Sequence, residues 1–116
     1  MEYTKRAMGK FKNTIQKGEI RYIVFREKGV WYGVGLECNI VEEGEDPREV
    51  LLRLFEATNG YLKSAKKIKA RPHILNQKVD PEYEALWEKL EERKSSVKNL
   101  GIPYDIYTYG RKRVLA

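Results

Sequence analysis

The sequence is poor in the residues that most often carry chemistry. It has one cysteine, Cys38, and one histidine, His73. A single cysteine closes no internal disulfide and builds no paired-cysteine metal motif. Two such ligands are too few for a structural zinc site. A Cys–His nucleophile pair fits poorly, because Cys38 falls in a strand-like stretch and His73 in a basic connector beside Pro72. A free cysteine in a strand is expected to act as a small buried hydrophobe. There is no Walker sequence and no GxGxxG, and Gly33 and Gly35 lie inside a strand pattern rather than at a strand-to-helix turn. No apolar run approaches the roughly 18–20 residues that span a bilayer. The segment Met1 to Lys12 has basic residues but no apolar core, so a secretory signal is not expected. These absences point to a cytoplasmic, non-enzymatic domain with no cofactor and no metal.

What is present is charge and aromatic bulk. The 116 residues are 34% charged and include eight tyrosines and two tryptophans. That length suits one domain, and the aromatic content opposes wholesale disorder. The net charge of +6 invites a nucleic-acid reading. Its distribution weakens that reading. Residues 21–62 hold five basic and eight acidic residues, net −3, whereas residues 63–78 hold six basic and no acidic residue. A domain that grips phosphates is expected to carry its cations on its structured elements.

Residues 20–37 read as a β-hairpin. Ile20 to Arg26 is rich in β-branched and aromatic residues, Lys28-Gly29 supplies the turn, and Val30 to Glu37 runs back. Val30, Tyr32, Val34 and Leu36 share one face; Trp31, Gly33, Gly35 and Glu37 share the other. Two glycines on one face predict a helix lying close against it. A third strand is expected over Cys38 to Glu43. Asp46 is then a good N-cap, Pro47 suits the first helical position, and Glu49 completes a capping-box pattern. Val50, Leu51, Leu54, Phe55, Thr58, Tyr61, Leu62 and Ala65 follow at helical spacing, which predicts an amphipathic helix from Pro47 to Lys66 that continues through Gly60. Residues 67–79, with Pro72, read as a connector. Asp80-Pro81-Glu82 repeats the start signal. Tyr83, Leu86, Trp87 and Leu90 form the stripe of a second helix, Pro81 to Lys94. Tyr104 to Tyr109 reads as a last strand, with Tyr104, Ile106 and Thr108 on one face and Asp105, Tyr107 and Tyr109 on the other. It is expected to end in a basic tail, Arg111-Lys112-Arg113.

The expected fold is therefore α+β, a two-layer sandwich with an antiparallel β-β-β-α core and an added C-terminal helix and strand. Residues 1–19 read as a basic N-terminal arm, with a strand added late to the sheet as the alternative, 20–66 as the core, and 67–116 as connector, helix and strand packing on the same domain.

Two charged sets are candidates for binding. The acids Glu37, Glu42, Glu43, Glu45, Asp46 and Glu49 crowd around the third strand and the helix start. Clustered carboxylates can hold two metal ions in nucleases of the ribonuclease H type. Here Asp46 and Glu49 already have capping roles and most of the others flank turns, where solvated acids are ordinary; of the two functional readings, an acidic contact surface for a basic partner is stronger than a metal site. The basic set is Lys63, Lys66, Lys67, Lys69 and Arg71, with Arg111, Lys112 and Arg113. It could track a phosphate backbone while Tyr104, Tyr107 and Tyr109 stack on bases. A solvated helix end explains several of these lysines equally well.

The stretch Tyr22-Ile23-Val24-Phe25-Arg26-Glu27, then Gly29 through Val50, resembles the HicB family of antitoxins. The family pattern is a first strand, a turn, a strand of small and aromatic residues, an acidic or proline-containing link and a Gly-Asp-Thr-x-Glu-Glu-Ala-like helix start. That start is Gly44-Glu45-Asp46-Pro47-Arg48-Glu49-Val50 here, and the pattern covers residues 20–66. The resemblance implies a partial ribonuclease H-like fold without nuclease activity. It also implies binding to a small basic, RNA-cleaving toxin of the HicA type, and a homodimer. Many members add a C-terminal DNA-binding module. After residue 66 this chain offers one helix and an aromatic strand, so such a module is not expected. A nucleic-acid-binding protein that uses the basic connector and tail is the alternative.

Overall fold

The computed structural model describes residues 17–69, 76–94 and 104–115. Strand β1, Lys17–Glu27, and strand β2, Val30–Gly35, form the expected hairpin. Lys28 and Gly29 connect them with φ of 53° and 81°. Positive φ at both central residues is the conformation whose twist matches the flanking strands in a two-residue hairpin. Strand β3, Ile40–Gly44, pairs back onto β2. Strand β4, Asp105–Leu115, runs antiparallel along the other side of β1. The sheet order is β3-β2-β1-β4.

Three boundaries differ from the sequence expectation. β1 begins at Lys17, so residues 17–19 belong to the sheet rather than to an arm, because β4 extends far enough to pair with them. Cys38 lies in the turn Leu36 to Asn39 and not in β3. β4 continues through Arg111, Lys112 and Arg113, which are strand residues and not a tail. β1 supplies a full-length partner for them, whereas sequence alternation fades after Tyr109.

Helix α1, Pro47–Lys67, starts and ends within a residue of its expected span. Asp46 is its N-cap, and its carboxylate accepts from the Arg48 N–H at 2.9 Å. The helix runs unbroken through Gly60. Helix α2, Pro81–Lys94, has the expected span, and Asp80 accepts from the Glu82 N–H at 2.9 Å. Among the described residues, no helix is long and apolar enough to cross a membrane.

The two glycines decide where α1 sits. A Cβ on Gly33 would lie 2.9 Å from Val50 Cγ1 and 3.3 Å from Leu54 Cδ2. The helix therefore rests on backbone at this point, over β2 and β3, and the β-β-β-α unit is a two-layer antiparallel sandwich. Ile20, Cys38 and Ala65 pack together at its far end. The added helix α2 covers the opposite face of the sheet. There Leu86, Trp87 and Leu90 close over Ile23, Phe25, Val34 and Leu36, with Tyr32, Tyr83, Tyr104, Ile106 and Tyr109 around them. The added strand β4 widens the sheet beside β1.

Candidate protein-binding site

Five of the six candidate acids gather along one margin of the sheet. β3 is an edge strand, and it carries Glu42 and Glu43. Glu42 pairs with Gly33 and so projects on the α1 side; Glu43 pairs with Tyr32 and projects on the other side. Glu45 and the N-cap Asp46 follow in the link to α1, and Glu49 lies in its first turn. Glu43, Glu45, Asp46 and Glu49 are exposed and Glu42 is half-buried. The carboxylates near the start of α1 also meet its positive dipole end. Arg53 reaches into this margin, where its Nη2 donates to the Glu43 carbonyl at 2.8 Å.

Glu37 does not belong to this margin. β2 ends at Gly35, and the turn that follows swings Glu37 to the α2 side. There its carboxylate accepts from the Arg21 backbone N–H at 2.8 Å and from Arg21 Nε. Arg21 also donates to both oxygens of Glu84 on α2, and its guanidinium lies 5.5 Å from the Trp87 ring centre. Hydrogen bonding to Glu84 and Glu37 raises the already high pKa of Arg21, against the opposing cost of burial. Glu37 is thus a structural tether, half-buried, and not an acid presented to a partner. A sequence signal for this existed: Arg21 interrupts the core-facing positions of β1 and needs a carboxylate there.

The candidate basic residues do not all assemble into one site: Arg111 and Arg113 lie on the α2 side of the sheet, away from Lys112 and the end of α1. Lys63, Lys66, Lys67 and Lys69 are exposed around the end of α1. Arg71, like His73, lies outside the described residues. Arg111 is taken up by the fold: it pairs with Glu91 at 3.0 Å and with Glu19 at 3.7 Å, and it stacks on Trp87 at 5.0 Å. Arg113 pairs with Glu19 in register on that same α2 side, whereas Lys112 lies on the α1 side with its Nζ 5.1 Å from the Phe55 ring centre. Strand alternation separates the three.

The tyrosines proposed for base stacking divide similarly. Tyr104 packs on Phe25 at 4.9 Å and donates to Glu82. Tyr109 meets Trp87 edge-on, and its hydroxyl donates to the Leu90 carbonyl. Both belong to the α2-side core. Tyr107 alone of the three is exposed, at 44%.

Cys38 is buried, as expected of a small hydrophobe, although in a turn. Burial, and then the charge of Glu37, pushes its thiol up to about 12. Among the described residues, no three His, Cys, Asp or Glu side chains converge in a way that could hold a metal ion. Compared with known proteins, the chain matches no family model, no curated protein and no solved structure.

Proposed function

We propose that this chain is a non-enzymatic, HicB-like antitoxin domain that acts in the cytoplasm. It binds a small basic, RNA-cleaving toxin of the HicA type through the margin formed by Glu42, Glu43, Glu45, Asp46 and Glu49. The observation that carries this reading is the placement of five carboxylates along one open sheet edge and the adjoining helix start. An edge strand offers unpaired backbone groups to a partner, and flanking acids steer a basic one towards it. The arrangement of β1, β2, β3 and α1 agrees with the strand-turn-strand-link-helix pattern that prompted the resemblance.

The test is to look for a small basic protein encoded beside this gene and to co-purify it with this chain; the absence of such a neighbour counts against the proposal. The expected result is a complex whose affinity falls steeply with added salt. The triple variant Glu43→Lys, Glu45→Lys, Glu49→Lys is expected to weaken it about tenfold or more while the fold survives, since these three side chains are exposed. Glu92→Lys, on α2 and away from the margin, serves as the control. A neighbour that fails to bind the wild-type protein, or binds both variants equally, overturns the proposal.

A further inference from the structure

A second surface lies at the other side of the sheet. α1 covers β2 and β3, where Val50 and Leu54 stand over Gly33 and Thr58 lies near Gly35. Towards β4 its reach ends with Phe55, which meets Tyr22 of β1 edge-on at 5.0 Å. On this same side of β4, Thr108, Gly110 and Lys112 are only half-buried.

A β-bulge adds a ring to this surface. The β1–β4 register slips between Val24 and Phe25, so that Val24 faces Thr108 and Phe25 faces Ile106. Tyr107 is the extra residue. Regular alternation would place it with Tyr109 in the α2-side core. The bulge turns it to the α1 side, where it meets Trp31 across β1 at 6.1 Å. Arg26 lies 5.3 Å from the Trp31 ring centre and pairs with Asp105. The result is a strip with Arg26, Trp31 and Tyr107 at one end and Lys112 over Phe55 at the other. Between them lie the small Thr108 and the Tyr22 ring, which rests against Gly110. Five residues of strand separate Tyr107 from Lys112, about 17 Å.

We propose that this α1-side face of β4, β1 and the start of β2 binds single-stranded nucleic acid, with Trp31 and Tyr107 as the stacking platform and Lys112 as a phosphate contact. Sequence-tolerant single-strand binders combine these two components, exposed rings and a cationic track. The charge agrees. Ala65 packs with Ile20, and Ile20 pairs with Lys112, so the lysine-bearing end of α1 and Lys112 share one end of the face. Asp105, the acid of β4 on this side, is held by Arg26. A protein partner fits less well. The exposed large hydrophobics Val41, Leu52, Ile68 and Tyr107 lie on four separate elements or turns rather than in one apolar patch. Duplex nucleic acid fits less well too, because its bases are already stacked and offer the rings no free face. The ring end of the face adjoins the acidic margin, since Trp31 pairs with Gly44, whereas Tyr107 and Lys112 lie on β4 at the far edge of the sheet, so β4 variants separate this binding from toxin binding.

The experiment is fluorescence anisotropy of a labelled oligouridylate titrated with the full chain. Saturable binding that weakens with salt is expected. Tyr107→Ala and Trp31→Ala should each weaken it about 5- to 150-fold, and Tyr107→Phe should restore it. Lys112→Ala should flatten the salt dependence by a log–log slope of about 0.7. Arg113→Ala, on the other side of the sheet, should leave affinity nearly unchanged. Circular dichroism of each variant checks that the fold is intact; because Tyr107 is exposed, its alanine variant is expected to fold. No binding by wild-type protein overturns the proposal. So does equal affinity for a blunt duplex, or an equal loss in Tyr107→Ala and Arg113→Ala, which would mean undirected charge attraction. A dimer that Tyr107→Ala dissociates, with no oligonucleotide binding, would assign the face to a second copy of the chain instead.

Discussion

At Cys38 a single buried atom sets both reactivity and an alkaline limit. The side chain is 3% exposed, and burial raises its thiol from an ordinary value of 9.0 to about 12. Alkylation needs the thiolate, so the folded protein is expected to resist iodoacetamide near neutral pH and to react only in denaturant. The same shift has a defined sign for stability. Below about pH 9 the thiol is protonated in both states and contributes no pH dependence. Between 9.0 and about 12 the unfolded chain has lost the proton and the folded chain has kept it. Stability therefore falls as pH rises through that window, by about 1.4 kcal/mol per pH unit at the steepest. Tyr61, Tyr83 and Tyr104, each raised chiefly by burial, add to the fall with the same sign. Urea unfolding on both sides of pH 9 should show the decline, and Cys38→Ala should be less stable at neutral pH but lose less on the alkaline side. Parallel declines in the two proteins would rule out the thiol as a cause.

Between elements, two glycines of the same composition have opposite roles. Gly33 is where α1 touches the sheet, and an added Cβ would press on Val50 and Leu54. Gly33→Ala is expected to cost about 1–3 kcal/mol, because helix and strand must separate or Val50 must leave its rotamer. Gly60 sits inside α1, and nothing lies within 4 Å of an added Cβ. Gly60→Ala is expected to stabilise by about 0.5–1 kcal/mol, through the unfolded state and helix propensity alone. Thermal denaturation of the two variants should move in opposite directions. A gain in both would mean that Gly33 is not a point of close contact between α1 and β2. The pattern of residues 30–37 already foretold the contact, because two glycines on one strand face leave a gap that a helix can fill.

Across the whole molecule, α2 depends on tertiary contacts more than α1 does. Its apolar stripe is narrow, and its attachment rests on Leu86, Trp87 and Leu90, on the Arg21–Glu84 pair and on Arg111–Glu91. Trp87 is the hub. It fills the α2-side core, meets Tyr109 edge-on and has the guanidinium groups of Arg21 and Arg111 5.5 and 5.0 Å from its ring centre. Trp87→Ala is expected to cost about 3–5 kcal/mol, a large part of the 5–15 kcal/mol or so that holds a domain of this size together. Hydrogen exchange should show α2 amides losing protection first, with β1, β2 and α1 retaining theirs. Uniform loss across the chain would show that both faces of the sheet fold as one unit.

The sequence by itself determined the elements whose signals are local. Period-two alternation set the hairpin, the Asp-Pro caps set the starts of both helices, and the helical spacing carried α1 through Gly60. These follow from backbone sterics and from side-chain periodicity within a few residues. Most of the acidic margin was legible for the same reason, since consecutive residues of one strand, link and helix start must be neighbours in space. Only the tertiary structure decided the rest. It placed α2 on the far face, extended β4 through Arg111 to Arg113, removed Glu37 from the acidic set by pairing it with Arg21, and divided the basic residues between two faces. It also turned Tyr107 outward through a bulge that no local pattern announces. Each of these depends on which strand pairs with which, and in what register. A shift of one residue sends a side chain to the opposite face, and pairing between residues some eighty positions apart is set by the packing of the whole sheet and not by the residues beside it.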